Sequence, residues 1–424
     1  MKTEKIIQIQ EGITLHILPT DKFKTSFVSF SLVQKLSEKE NTKTALLPFV
    51  LKGASEKYPD LKSLNRALDA LYGASLMPIV RKKGDWQMIG FCMDFVADAY
   101  ALAGEKTTTQ ALDLFKEVIF NPKVCGGAFQ QNVVDIEKGN LKDTIESIIN
   151  DKRTWALLRC IELMCKGEPL ALSEYGQIAD LAAISPEALY AYYKELLETA
   201  RIELFYEGGL DTVDIEAFWR EAFSSVQRRY KEADDTSLAA EKREELQYIT
   251  EEVEVNQCKL NLGFHTGITA EDERIYALMV ANAVFGGGPN SKLFLNVREK
   301  MGLCYYAASR AFKQNGMILV YSGIEKENEE AAVTEIKRQL QDMREGMITD
   351  EEIEQAKLAM VNSLKSIADS AFSTEDFLLG EALGKKAREI DEYIGHIWAV
   401  KKEEVVAVAK EVKLDTVYVL SGKA

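Results

Sequence analysis

Arg298 and Tyr305 stand seven residues apart, one on each side of Gly302. Both are hydrogen-bond donors, and the guanidinium can present two donors to one acceptor. A helix stopping at Gly302 and a strand starting after it would let the two side chains converge on one point in space. The same spacing also fits an ordinary connection with a surface arginine and a half-buried tyrosine, and spacing alone leaves both readings open. Other chemistry is scarce. The three histidines, His16, His265 and His396, lie far apart in the chain. Neither HExxH nor HxxEH can be written with them, so no zincin-type helix is available. The six cysteines show no CxxC spacing, which favours free thiols in a reducing compartment. No GxSxG elbow, phosphate loop or dinucleotide fingerprint is present, and GGGPNS lacks the Lys-Ser/Thr ending of a phosphate loop.

The pair is positioned by the stretch Gly286 to Tyr306, GGGPNSKLFLNVREKMGLCYY. Three glycines and a proline open it as a loop, and Asn290-Ser291 supplies N-cap chemistry. Leu293, Val297 and Met301 then recur at helical spacing until Gly302 ends the run. Arg298 falls near the end of that helix and Tyr305 just past the stop.

The remaining chain has the size and composition of a globular protein, 424 residues of which 46% are hydrophobic, with room for two to four domains. A net charge of −15 argues against nucleic-acid and anionic-membrane partners and is accounted for by solubility. No apolar run approaches the roughly 18 residues of a spanning helix, and the N-terminus has no signal-peptide core. These features predict a cytoplasmic protein.

Periodicity gives a duplicated pattern. In the first half, 12–18 and 25–32 read as strands. Asn41 is expected to cap a helix from Thr42 to Gly53, and 60–72 is an amphipathic helix. Residues 86–95 read as a strand, 107–118 and 129–149 as helices, 155–165 as a helical hairpin, and Ser185-Pro186 opens a helix before a strand over 201–207. The second half repeats this: strand 259–266, helix 271–285, the SKLFLNVREKMG helix, strand 317–323, helices 327–346 and 350–370, then helix 402–412 and strand 416–420. ISPEALYAYYKELL and VKKEEVVAVAKEV correspond, each before its closing strand. Repeats this long mean duplicated domains rather than a solenoid. The expected organisation is 1–225 as a first half, 226–250 as a charged connector and 251–424 as a second half. Strands followed by helices, twice over, predict an α+β fold in which each half is a mostly antiparallel sheet with helices on one face.

Ser291-Lys292-Leu293-Phe294, Val297-Arg298-Glu299-Lys300, Gly302-Leu303 and Tyr305 together resemble the C-terminal-half signature of the pitrilysin/insulinase family of zinc peptidases, particularly its processing-peptidase-like branch. The resemblance covers essentially the whole chain and implies two halves enclosing a chamber. In that family the matching arginine and tyrosine bind substrate backbone and steady the scissile carbonyl. The resemblance carries those roles to Arg298 and Tyr305.

The first half departs from the family. Active members carry HxxEH on the helix corresponding to 42–53. Anchored on Leu51-Lys52-Gly53, the two histidine positions fall on Thr44 and Pro48 and the glutamate base on Leu47. The further metal-binding glutamate falls on Thr144, seven residues after Glu137, which itself reads as a solvated helix residue. A hydroxyl, a leucine and a proline cannot supply what zinc requires, and Leu47 cannot deprotonate a metal-bound water. The chain is therefore expected to hold no metal and to be inactive alone. The resemblance implies a zinc-less subunit of a cytoplasmic peptidase pair of Gram-positive bacteria, with zinc on a homologous partner chain, a peptide as substrate, and a homodimer as a substitute assembly when isolated. The rival expectation is a structural or peptide-binding scaffold, for which Arg298 and Tyr305 would be dispensable.

Overall fold

The computed structural model describes residues 4–102, 104–210, 213–230, 232, 245–384 and 388–422. Of the connector expected at 226–250, residues 231 and 233–244 lie outside the described residues. The chain divides into two compact units. The first comprises Met1–Ile145, Ser173–Asp234 and Ala371–Leu379; the second comprises Glu146–Leu172, Asp235–Ser370 and Gly380–Ala424.

In the first unit, β1 (Lys5–Gln10), β2 (Ile13–Pro19), β3 (Thr25–Lys35), β4 (Ser75–Lys83) and β5 (Trp86–Val96) precede a two-strand ribbon of β6 (Val124–Cys125) and β7 (Ala128–Phe129). Closing strand β8 is Arg201–Gly208. The six-stranded sheet has the order β1-β2-β8-β3-β5-β4, antiparallel except where β2 runs parallel to β8. Val28, Phe30 and Leu32 alternate to one face of β3, where they join the core with Leu46, Leu47, Phe115, Trp219 and Phe223. Aromatic edges meet there: Phe115 stands perpendicular to Trp219 at 6.2 Å and Phe120 to Phe223 at 5.1 Å. The Asn41–Gly53 helix contains Pro48, which removes the N–H that would bond the Thr44 carbonyl. It persists because ten of its 13 residues are buried, so packing overrides propensity. Asn41 is not its cap. Glu40 takes that place without a side-chain bond, and the Asn41 amide instead donates to the Ser173 carbonyl at 2.8 Å.

The second unit has β9 (Gln247–Val253), β10 (Cys258–His265), β11 (Cys304–Phe312), β12 (Met317–Ile324) and β13 (Lys413–Gly422), in the order β11-β12-β10-β13-β9. Again one neighbouring pair, β13 with β9, is parallel. Read in reverse, this order superposes on β2-β8-β3-β5-β4 with the parallel pair in the same place. The duplication read from sequence is therefore a duplication of topology, and the α+β expectation holds.

Each sheet has its main helices on one face and one segment on the other. On the reverse face of the first sheet, Phe27, Ile79 and Cys92 meet Ala371, and Glu375 accepts a hydrogen bond from Ser29 at 3.1 Å. Arg81 holds the same carboxylate with two bonds of 2.8 Å. On the second sheet the Lys152–Met164 helix buries Ala156, Cys160, Ile161 and Met164 against Met317, Leu319, Tyr418 and Leu420. That single helix replaces the hairpin expected around Trp155. Strand β4 and the helices Ala371–Ala382 and Ile390–Ala399 carried no clear sequence signal. Among the described residues, no helix is long and apolar enough to cross a membrane.

Candidate functional site

The expected Leu293-to-Met301 helix forms, but it is a π-helix over Leu293–Lys300. Its start follows the glycine loop, where the Ser291 hydroxyl donates to the Gly288 carbonyl at 2.6 Å and accepts from the Phe294 amide at 3.4 Å. Leu293 and Val297 are fully buried, whereas Met301 sits at the C-cap and is exposed. Met301 leaves the apolar stripe because the helix ends at Lys300, before it. Gly302, with φ of 62°, then turns the chain into β11.

Tyr305 owes its exposure to a break in the ladder. Cys304 pairs with Ile324 and Tyr306 with Gly323, so Tyr305 is the extra residue of a β-bulge. A bulge re-aims a side chain, and here Tyr305 is 61% exposed between the buried Cys304 and the half-buried Tyr306. Its hydroxyl donates to Glu325 at 2.8 Å, and that charge-bearing bond raises the phenol above its ordinary value. Nothing in the sequence marked Glu325 as its partner. Arg298 is about two-fifths exposed. It lies 3.3 Å from Glu299 and stacks over the Phe294 ring at 4.6 Å. The two side chains lie on successive elements and have different partners. They are two separately held donors facing outward.

The four degenerate positions are occupied by quite different environments. Thr44 is fully buried, and its hydroxyl donates to the Glu40 carbonyl at 2.9 Å. The same oxygen accepts from the Gln34 amide at 2.6 Å and lies 2.8 Å from the Tyr192 hydroxyl. Burial pushes the Tyr192 phenol up to about 12, against the pull of its bonds to Thr44 and Gln34. Leu47 is part of the hydrocarbon core and Pro48 is buried beside it. Thr144 is half-buried on the Gln131–Asn150 helix and donates to the Asn140 carbonyl at 2.9 Å. Zinc does not fit this set. One hydroxyl is already committed, two positions carry no donor, and the last offers no carboxylate. Glu137 is buried rather than solvated, correcting the sequence reading, and accepts from the Asn140 amide at 2.9 Å. Burial raises its carboxyl above the usual range, with Asn140 and Lys52 pulling it back.

The three histidines are likewise structural. His16 is buried between Glu4 and Glu203, at 2.6 and 2.9 Å. His265 faces Asp415 at 3.2 Å, and His396 stacks on Tyr276.

The chain is 34% identical over 411 residues to the "Probable inactive metalloprotease YmfF" of Bacillus subtilis, covering 97% of this chain and 96% of that protein. The chain belongs to the M16 peptidase family. The family profile described as "Peptidase M16 inactive domain" matches residues 183–360, which include Arg298 and Tyr305. A solved structure of a conserved protein from Enterococcus faecalis V583 superposes with a TM-score of 0.90 at 31% identity, over 99% of both chains. Another relative, the "Uncharacterized zinc protease YmxG" of Bacillus subtilis, is 27% identical over 326 residues, 74% of each chain. This protein is thus an inactive M16-type metalloprotease homologue.

Proposed function

We propose that this M16 homologue is the non-catalytic, substrate-positioning subunit of a cytoplasmic heteromeric zinc metallopeptidase, lending Arg298 and Tyr305 to the active site of a zinc-bearing partner chain. The observation that carries the reading is the bulge at Tyr305. It exposes the phenol while Glu325 fixes its direction, within one turn of an exposed arginine. Donors held in advance cost no reorganisation when negative charge develops on a carbonyl oxygen. Arg298 would bind peptide carbonyls through two donors in ground and transition states alike, and Tyr305 would steady the oxyanion. Metal and general base belong to the partner.

The test mixes the chain with a homologous HxxEH-bearing subunit and a quenched peptide. Tyr305→Phe is expected to slow turnover about 10²–10³-fold without changing subunit affinity. Arg298→Ala is expected mainly to raise KM. One observation favours a second reading, a peptide-binding or structural scaffold: both donors already have acidic neighbours, Glu325 and Glu299. Unchanged turnover in both variants would leave that scaffold as the better account.

A further inference from the structure

π-Helices are rare beyond a single turn and gather at functional sites, yet Leu293–Lys300 winds this way over eight residues. Two of its exit bonds have a wide register, the Met301 amide donating to the Asn296 carbonyl at 3.1 Å and the Leu303 amide to the Val297 carbonyl at 3.0 Å, while the Gly302 amide between them keeps the ordinary register to Arg298 at 3.0 Å. Against ordinary α winding, the looser turn rotates Arg298 by roughly a quarter turn relative to Leu293. Register therefore decides where the guanidinium points.

What holds the register is a polar chain from the neighbouring Glu329–Arg344 helix. The Asn296 side-chain amide donates to its own helix, at the Lys292 carbonyl, and to the Gln339 side-chain oxygen, both at 3.0 Å. Gln339 is 2% exposed, and its amide nitrogen donates to Glu335 at 2.7 Å. Arg338 grips Glu335 with bonds of 2.8 and 2.6 Å and holds its carboxyl below the usual range. An ionised carboxylate can only accept, so Gln339 must turn its nitrogen to Glu335 and its oxygen to Asn296. The polarity of the whole chain is fixed from the arginine end. A second anchor lies at the helix start, where Lys292 reaches Glu352 at 2.8 Å.

We infer that Asn296 and Gln339 are positioning residues: they lock the π-register that aims Arg298 at a peptide. The inference rests on the proposed role of Arg298 and deepens it. Neither residue touches substrate.

The experiment uses the full chain paired with the zinc-bearing homologue and a quenched peptide, and compares Asn296→Ala with and without Arg298→Ala. With Arg298 present, Asn296→Ala is expected to raise KM about tenfold to a hundredfold, since displacements of about 1 Å cost that much. In the Arg298→Ala background the same change is expected to add nothing, because it acts through the missing guanidinium. Gln339→Met, near-isosteric, is expected to repeat both results if Asn296→Ala folds poorly. Hydrogen exchange at the Met301 and Leu303 amides should quicken in either variant with the first-unit amides unchanged. An equal KM effect in both backgrounds, or no effect while Arg298→Ala is costly, overturns the positioning role and leaves the subunit reading standing. Silence of Arg298→Ala and Tyr305→Phe overturns the subunit reading, and this inference with it.

Discussion

His16 offers a test of the electrostatics that needs no partner chain. Burial alone would lower its imidazolium, but hydrogen bonds to Glu203 and Glu4 and their two charges outweigh burial and push it up to about 9 from 6.5. Arg201 shares the Glu203 carboxylate at 2.6 Å, and the His16 ring stacks on Phe205 at 4.2 Å. The folded state thus holds the proton more tightly than the unfolded chain. Below about pH 6.5 both states are protonated and the contribution is whole; it is lost as pH rises through about 9. The difference corresponds to about 3 kcal/mol. Glu207 also has a raised value, about 7, through burial. Its effect on stability is nearly spent by neutrality, but the Cys92, Cys160 and Cys304 thiols, which burial pushes up, add a loss of their own as the unfolded chain's thiols ionise, so His16 is read from pH 7 to 9.5 as the difference between wild type and His16→Gln. The assay is urea unfolding followed by tryptophan fluorescence in a Trp155→Phe/Trp398→Phe background, which leaves Trp86 and Trp219 of the first unit as probes. Wild type should lose about 2–3 kcal/mol more than His16→Gln across that window. Equal slopes in both proteins would refute the reasoning.

Three further outcomes are expected. The chain purified without chelator should contain no stoichiometric zinc by metal analysis and should cleave no peptide alone; one zinc per chain at a protein site would contradict the fit argument at Thr44, Leu47, Pro48 and Thr144. Thr44→Ala should leave turnover of the reconstituted pair unchanged yet cost about 1–3 kcal/mol in denaturation, because Gln34 and Tyr192 lose a buried partner. Arg81→Met should destabilise the first unit by about 3–5 kcal/mol, since Glu375, 1% exposed, would lose its bidentate partner. Arg81→Met combined with Glu375→Leu should recover much of that loss, and a double variant no better than the single would place the cost elsewhere.

Much of the molecule was written locally. Ser185 accepts from the Ala188 amide at the start of the Pro186–Thr199 helix, as Ser-Pro-Glu foretold. Gly53 and Gly302 stop their helices, and the alternation of Val28, Phe30 and Leu32 marks a sheet face. Such signals depend on near neighbours and survive in one dimension. The absence of zinc chemistry was equally legible, because no fold turns a leucine and a proline into ligands.

Other features depended on contacts distant in sequence. Leu293–Lys300 winds as a π-helix beside Gln339, 43 residues away, whose side chain bonds Asn296, and Met301, which periodicity counts onto the apolar stripe, falls past the helix end at its C-cap. Strand β4 hid its character behind Pro78 and the run Arg81-Lys82-Lys83, residues an edge strand tolerates because one side of its ladder is open. Glu137 reads as a surface glutamate from its neighbours and is buried, close to Gly53, where Val133 fills the space a side chain would take. Tyr305 is exposed only because its strand carries one more residue than β12 can pair. The sequence by itself determined most of the elements, that they form twice, and which chemistry is missing. Tertiary structure decided winding, register and the direction of Arg298 and Tyr305, since each of these is set by a hydrogen bond or a close contact between elements.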